Sequence, residues 1–169
     1  HVLPMASLLY FTSGCEQESS PPIDSDQESL EFKIGSDQGR VPFGDVTCDL
    51  SGPRERYQLM STQELKGKHG TKVPAVLIVT VGAETTSWSA KGNAGEASAF
   101  IPEIELGGAE YHPLMIVAQD VENGSQDFEC SFEREGKNRR IECSNGSVRP
   151  WRSAGDVPSG AFRAAFACP

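Results

Sequence analysis

The stretch Phe128–Gly146, FECSFEREGKNRRIECSNG, constrains the fold more than any other part of the chain. Two runs of alternating residues flank Gly136–Lys137, and a glycine at the first of two turn positions favours a type II′ β-turn. With the turn placed there, Cys130 faces Cys143 across the two strands. Counting outward from the turn puts these cysteines at a non-hydrogen-bonded pair, where opposing side chains lie closest. The pattern therefore predicts a β-hairpin closed by a Cys130–Cys143 disulfide.

The same register predicts the other pairs of the hairpin. It sets Phe132 against Ile141, Glu133 against Arg140, and Arg134 against Arg139. Two opposing arginines repel each other, so we expect the last pair to lie at an exposed end of the hairpin. Two other states of the cysteines stay open. They are a pair of reduced buried thiols and a metal-binding pair, for which a spacing of thirteen residues is a poor zinc signal.

Alternating runs recur along the chain from about Leu30, and its 17 glycines and 11 prolines separate them with turn signals. We predict ten short strands, at Glu31–Ile34, Gly44–Leu50, Tyr57–Ser61, Ala75–Val81, Ser87–Lys91, Ser98–Ile104, Leu114–Gln119, Asp127–Arg134, Arg139–Ser144 and Ala161–Cys168. Many short strands with turns between them are typical of an all-β, antiparallel β-sandwich-like domain. We assign this domain to residues 32–169.

The hairpin leaves two cysteines of the domain to pair, Cys48 in an early strand and Cys168 at the end of the last strand. A second disulfide between them would tie the first strands to the last. Disulfides persist in oxidising compartments, so the two bonds predict an exported protein. The chain has five cysteines, and Cys15 is then the one without an internal partner.

Cys15 follows an uncharged run, Val2–Phe11, whose length suits the apolar core of a signal peptide and is too short to span a bilayer. Ser13, Gly14 and Cys15 after such a run resemble the lipobox of bacterial lipoproteins. In that family the signal peptide is removed before the cysteine, whose thiol carries a diacylglycerol and whose amino group is often acylated. The resemblance implies a signal peptide at residues 1–14 and lipidation of Cys15. An ordinary secreted protein and a buried strand are the alternatives.

The segment after Cys15 is acidic. Residues 16–32 hold six acids and no lysine or arginine, with few large apolar side chains. Such a segment cannot bury enough surface to offset its ordering entropy. We therefore predict that residues 15–31 comprise the lipidated cysteine and a disordered acidic tether. From Lys33 onward the chain has 18 acids against 15 bases and no clustered basic face, which argues against a nucleic-acid partner.

Two further stretches are FKIGSDQGRVPFGDVTCDL, at residues 32–50, and GAFRAAFACP, at residues 160–169. With the lipobox-like segment and the acidic tether, they make the whole layout similar to that of the mycobacterial LpqH-type surface lipoprotein antigens. Those proteins have a lipobox cysteine, a low-complexity tether and a small β-sandwich-like domain with an early cysteine paired to one in the last strand. The resemblance implies an exported protein of the cell envelope, on the periplasmic or cell-surface side of a membrane. The resemblance assigns no binding residue. Our first hypothesis for the domain is a non-catalytic one that binds an unknown protein or envelope ligand.

Few residues have the pattern of an active site. The chain has three histidines without metal-ligand spacing, and no G-x-S-x-G, S-x-x-K or H-E-x-x-H motif. We predict no cofactor, no metal and no catalytic residue. Two alternatives remain, an exported hydrolase that uses Glu103 and Glu105, and a secreted inhibitor that presents the hairpin tip Glu135–Asn138. A core position is expected for at least one of Trp88 and Trp151.

Overall fold

The computed structural model describes residues 28–66, 72–89, 94–101, 105–106, 109–110, 114–118, 127–149 and 159–169. Within these residues the chain forms twelve strands and no helix, and so no helix that would cross a bilayer. The strands are β1 (Ser29–Ile34), β2 (Asp37–Asp49), β3 (Arg54–Lys66), β4 (Lys72–Gly82), β5 (Ser87–Ser89), β6 (Gly95–Ile101), β7 (Glu105–Leu106), β8 (Ala109–Glu110), β9 (Leu114–Ala118), β10 (Glu129–Glu135), β11 (Asn138–Arg149) and β12 (Ser159–Ala167).

Ten of these strands form one antiparallel sheet in the described part of the chain, in the order β12-β1-β2-β3-β4-β6-β9-β11-β10-β5. Strand β12 pairs with β1 on one side and with β11 on the other. This double pairing closes eight strands into a barrel, from which β10 and β5 extend beside β11. Strands β7 and β8 form a separate two-stranded pair.

The prediction of an all-β antiparallel fold is confirmed, and the prediction of a sandwich is wrong in its arrangement. Alternation with a period of two residues shows that one face of a strand is buried. The alternation does not show whether the buried face packs against a second sheet, as in a sandwich, or lines the inside of one sheet closed into a barrel. The barrel also uses longer strands than predicted, since β2 and β3 have 13 residues each. Three β-bulges, in the β2–β3, β3–β4 and β11–β12 pairs, accompany the bending of these strands.

Apolar side chains fill the interior of the barrel. The bulkiest of those with almost no exposed surface are Tyr57, Phe132, Phe166, Leu30, Ile34, Leu59, Leu77 and Ile116. They come from β1, β3, β4, β9 and β12 of the barrel and from β10 beside it. Tyr57 lies against both Phe132 and Phe166, with ring centroids 5.1 Å and 5.5 Å apart. The interior of the barrel is thus occupied by packed side chains.

The hairpin β10–β11 has the predicted register, with Cys130 opposite Cys143 and Glu135 opposite Asn138. Gly136 has a φ of 57°, as the first position of a type II′ turn requires. The two cysteines form a disulfide, and their Cα atoms lie 4.2 Å apart. This separation is that of a non-hydrogen-bonded pair.

The second disulfide, Cys48–Cys168, has a different place in the barrel. Strand β1 begins at Ser29, which pairs with Pro42 of β2 and with Ala165 of β12. Beyond these residues, among those that the structure describes, β2 and β12 continue without a strand between them. The disulfide joins the two strands at this gap and so holds the barrel closed where β1 does not reach.

The folded part of the chain includes residues that we assigned to the tether. Ser29 and Leu30 are buried in β1. Glu28 accepts a hydrogen bond from the amide of Phe43 on its carbonyl and one from the amide of Ala167 on its carboxylate. The ordered barrel thus begins by Glu28, ahead of the predicted boundary at residue 32.

Two glycines allow three strands to meet where the barrel closes. Strand β11 pairs with β10 up to Ser144, bends at a bulge that contains Asn145 with a φ of 54°, and then pairs with β9. Gly146 lies opposite Gly160 of β12, and Ile116 of β9 packs against both. A Cβ atom on Gly160 would lie 2.7 Å from Cγ2 of Ile116, too close for unperturbed packing.

We therefore expect Gly160→Ala to lower the free energy of unfolding by about 1–3 kcal/mol, because it overpacks the core at the closure. Chemical denaturation of the oxidised protein measures this change. The control is Gly52→Ala in an exposed turn, where the nearest atom to an added Cβ is a backbone oxygen at 3.5 Å. The control should change stability by less than about 0.5 kcal/mol. Equal effects of the two substitutions would contradict the proposed role of the glycine pair.

Candidate functional site

The inner face of the hairpin carries two arginines beyond its apolar residues. Residues 130, 132 and 134 of β10 alternate inward, as do residues 139, 141 and 143 of β11. The pair Arg134 and Arg139 was expected at an exposed hairpin end, and this expectation is wrong. Arg139 is only 6% exposed, and the side chain of Arg134 is 20% exposed. Buried cations need anionic partners, and β3 supplies one.

Glu55 of β3 is the anion of this arginine network, which we define as Glu55, Tyr57, Arg134 and Arg139. Oε2 of Glu55 accepts hydrogen bonds from Nε of Arg134 at 2.8 Å and from the Tyr57 hydroxyl at 2.6 Å. The Tyr57 hydroxyl in turn accepts a hydrogen bond from Nε of Arg139 at 3.1 Å. The network thus joins β3 to both strands of the hairpin.

The remaining donors of the two guanidinium groups reach backbone carbonyls. Arg134 donates to the carbonyls of Thr85 and Gly82 at 2.7 Å and 2.9 Å, which fixes the turn after β4. Arg139 donates to the carbonyls of Gly136 and Asn138 in the hairpin turn. These contacts make the network a structural clamp at one end of the barrel, and no hollow that we describe opens onto it.

Burial raises the pKa of Tyr57 above its ordinary value of 10.0, and the hydrogen bond to Glu55 acts in the same direction. The hydrogen bond from Arg139 lowers the pKa of Tyr57, but more weakly than burial and Glu55 raise it. A folded-state pKa above the unfolded value means that Tyr57 contributes its full stabilisation below about pH 10. That contribution is lost as the pH rises through the folded-state pKa.

We therefore expect Tyr57 to ionise late in an alkaline titration, together with a loss of stability. Tyrosinate absorbance and denaturant unfolding, both followed as the pH rises above 10, measure the two events. In Tyr57→Phe the late phase should be missing. A late phase that persists in Tyr57→Phe would contradict this assignment.

The outer face of the barrel carries polar residues in two rows across six strands. These rows arise because the antiparallel registers continue from β5 through β10, β11, β12 and β1 to β2. The first row is Ser87, Ser131, Glu142, Arg163, Glu31 and Arg40. The second row is Ser89, Glu129, Ser144, Ala161, Lys33 and Gln38, with Ala161 opposite the bulge after Cys143.

Two adjoining hollows lie along these rows. The serine hollow, of about 670 Å³, is lined on its polar side by Ser87, Ser89, Ser131, Ser144, Glu129 and Glu142. The basic hollow, of about 580 Å³, is lined by Lys33, Arg40 and Arg163, together with Glu31, Glu142 and Ser144. Glu142 and Ser144 of β11 border both hollows. Each volume falls in the range of ligand sites, about 300–1,000 Å³.

The two hollows differ in which charged groups line them and in whether those groups form ion pairs. Arg163 forms an ion pair with Glu31, and Arg40 donates from Nε to the Ser29 hydroxyl at 2.9 Å. Within the described residues, Lys33 and Glu129 form no hydrogen bond or ion pair through their exposed side chains. The ammonium group of Lys33 and the carboxylate of Glu129 lie at opposite sides of β11.

Several residues singled out in the sequence lie outside the described residues. They are Cys15, Glu103, His1, His69, His112 and Trp151. Of Glu105 and Glu110, only the backbone in β7 and β8 is described, where the two residues pair. The hairpin tip lies beside the end of β12, since the carbonyl of Lys137 accepts a hydrogen bond from the amide of Cys168 at 2.9 Å. In the described part of the chain, no group of three or more His, Cys, Asp or Glu side chains is placed to hold a metal.

Trp88 is a core residue, 5% exposed, and its indole ring packs on Gly95 of β6. The expectation of a core position for one of the two tryptophans is thus confirmed. In comparisons with known proteins, no family model, curated protein or solved structure matches this chain.

Proposed function

We propose that this chain is an exported lipoprotein, anchored to a membrane through Cys15, whose barrel is a non-catalytic binding domain of the cell envelope. The observation that carries the proposal is the pairing of all four barrel cysteines in two disulfides. Two such bonds favour an oxidising compartment. They also leave Cys15 as the one cysteine without a disulfide partner in the chain. A lipobox-like Ser13-Gly14-Cys15 after an apolar run gives that cysteine a chemical role.

The segment between Cys15 and Glu28 sets how far the barrel can stand from the membrane. It has twelve residues, which span at most about 40 Å when fully extended. Its acids and prolines favour extended conformations over collapsed ones. We propose that it acts as a tether, so that the outer face of the barrel stays accessible to partners.

We place the binding activity on the outer face, at the serine and basic hollows. The inner face is packed with large apolar side chains, whereas the hollows present hydroxyl, carboxylate and cationic groups to solvent. Such groups recognise a ligand through charge and hydrogen bonds. The partner is thus a polar molecule or protein segment of the envelope and not an apolar ligand inside the barrel.

The anchor is tested by detergent phase partitioning of the chain, expressed in a bacterium with a start methionine and a basic segment placed before His1. We expect the chain to enter the detergent phase and Cys15→Ser to remain in the aqueous phase, because two or more acyl chains bind a membrane stably. A matched control, Cys130→Ala with Cys143→Ala, removes two other cysteines and should leave the partitioning unchanged. Aqueous partitioning of the unsubstituted chain would contradict the proposal.

A further inference from the structure

In the second outer row, two charged side chains flank two small ones. Its central members are Glu129 on β10, Ser144 on β11, Ala161 on β12 and Lys33 on β1. The two outer members are charged and exposed, and the two inner members are small and half-buried. We call this set the trough. Its floor is low because a serine and an alanine lie where the neighbouring row has Glu142 and Arg163.

The neighbouring row forms a wall along the trough. Glu142, Arg163 and Glu31 lie side by side there, and Arg163 is ion-paired with Glu31. These long side chains stand beside the small residues of the floor. A linear ligand lying across the strands would therefore contact the floor from above and the wall from one side.

The ends of the trough differ in charge. Glu129 lies in the serine hollow, whose charged side chains, among the described residues that line it, are Glu129 and Glu142. Lys33 lies in the basic hollow with Arg40 and Arg163. Among the residues that the structure describes, neither Glu129 nor Lys33 forms a hydrogen bond or ion pair. A ligand that neutralises both needs a cation at one end and an anion at the other.

The spacing of the two ends defines the ligand further. From β10 to β1 there are three intervals between paired strands, and each interval is about 4.8 Å, so the ends lie about 14 Å apart along the sheet. An extended peptide rises about 3.3 Å per residue and covers this distance in about four residues. Small side chains on the floor leave room for the peptide backbone between the two charges.

We propose that the trough binds a short, extended peptide segment that carries a basic residue and an acidic residue about four positions apart. The basic residue lies over Glu129 and the acidic residue over Lys33. This inference rests on the proposed function as a binding domain and names the chemistry of its partner. Recognition occurs through side chains, because the peptide runs across the strands and does not pair with a sheet edge.

The test is a titration of the full, oxidised chain with capped pentapeptides, followed by nuclear magnetic resonance. The probe is Lys-Ala-Ala-Ala-Asp, and the controls carry lysine at both ends or aspartate at both ends. We expect the probe to bind roughly fivefold more tightly than either control, since each exposed ion pair is worth roughly a two- to fivefold change. Shifts should centre on β10, β11, β12 and β1. Equal binding of the three peptides, or shifts elsewhere on the barrel, would overturn the proposal.

Charge-reversal variants make the test specific. Glu129→Lys gives both ends of the trough a positive charge, so the preference should change to the peptide with two aspartates. The control Glu135→Lys makes the same change of charge on the same strand, at the exposed hairpin end, and should keep the preference for the probe. In Ala161→Leu all binding should fall at least tenfold, because the added side chain fills the floor. An unchanged preference in Glu129→Lys would refute the placement.

The proposed trough and the proposed anchor can be refuted independently of each other. A chain whose Cys15 carries a lipid and that binds no peptide refutes the trough alone. A chain whose Cys15 is unmodified and that binds the mixed-charge peptide at β10–β1 refutes the anchor alone.

Discussion

Replacing Glu55 by glutamine is expected to lower the free energy of unfolding by about 3 kcal/mol, because it leaves the buried guanidinium of Arg134 without its anion. Glutamine keeps the size of the side chain and a hydrogen-bonding oxygen for Tyr57, so the loss measures the charge. Arg139, which contacts the same carboxylate through Tyr57, loses part of its compensation as well. Denaturant unfolding of the oxidised protein gives the value, which should depend little on salt because the pair is mostly buried.

The control for this change lies on the other face of the same hairpin. Glu133 forms an ion pair with Arg140 at 2.9 Å, and the Glu133 side chain is 43% exposed. Glu133→Gln should cost less than about 1 kcal/mol, as exposed ion pairs do. The double variant Glu55→Gln with Arg134→Gln should recover part of the lost stability, since it removes the unpaired charge. Similar losses in Glu55→Gln and Glu133→Gln would show that the arginine network does not stabilise the barrel.

Removing the Cys48–Cys168 disulfide, through Cys48→Ala with Cys168→Ala, is expected to lower the free energy of unfolding by about 4–5 kcal/mol. The bond joins residues 120 positions apart, so in the chain-entropy model it restricts the unfolded chain strongly. It also holds β2 and β12 together where β1 does not separate them. Equilibrium unfolding of the double variant against the oxidised parent measures the effect.

The Cys130–Cys143 disulfide provides the comparison. It spans 13 residues, for which the same model predicts about 3 kcal/mol. Cys130 and Cys143 are almost fully buried, whereas Cys48 is only partly buried. If lost packing determined the cost, removing the hairpin disulfide would therefore destabilise the protein more than removing Cys48–Cys168. A larger cost for Cys48→Ala with Cys168→Ala therefore identifies loop closure as the reason. A smaller cost than for the hairpin pair would contradict the proposed role of Cys48–Cys168 in holding the barrel closed.

The hairpin was predictable because its information is local. A glycine at the first turn position and two alternating runs determine the register between Cys130 and Cys143, and no distant residue is needed. Predictions of strand length were less accurate. We predicted a strand only from Gly44, whereas β2 begins at Asp37 and contains Gly39 and Pro42. Gly39 is accommodated because the ring of Phe32, its cross-strand partner, covers it.

Closure of the barrel depends on residues far apart in the sequence. Strand β12 joins β1 across more than a hundred residues, and β11 exchanges β10 for β9 at a bulge next to Gly146. Gly146 and Gly160 gave turn signals in the sequence, whereas in the structure they make space for Ile116. Such a meeting of three strands has no local pattern that distinguishes it from two strands and a turn.

The arginine network could have been predicted from a signal already present in the sequence. The alternation that places Phe132 and Ile141 inside also places Arg134 and Arg139 inside, and Glu55, Tyr57 and Leu59 alternate in the same way. The two charges of the trough could not have been predicted from the sequence. Glu129 and Lys33 come into one row only through the continuous register across β11 and β12.

The most direct test of the proposed anchor is the intact mass of the chain, isolated from bacterial membranes after expression with a start methionine and a basic segment before His1. The proposed function predicts a polypeptide that begins at Cys15 and carries the added mass of a diacylglyceryl group, with or without a further acyl chain. The same preparation of Cys15→Ser should lack this mass. A polypeptide that retains residues 1–14 with an unmodified Cys15 would contradict the lipoprotein assignment.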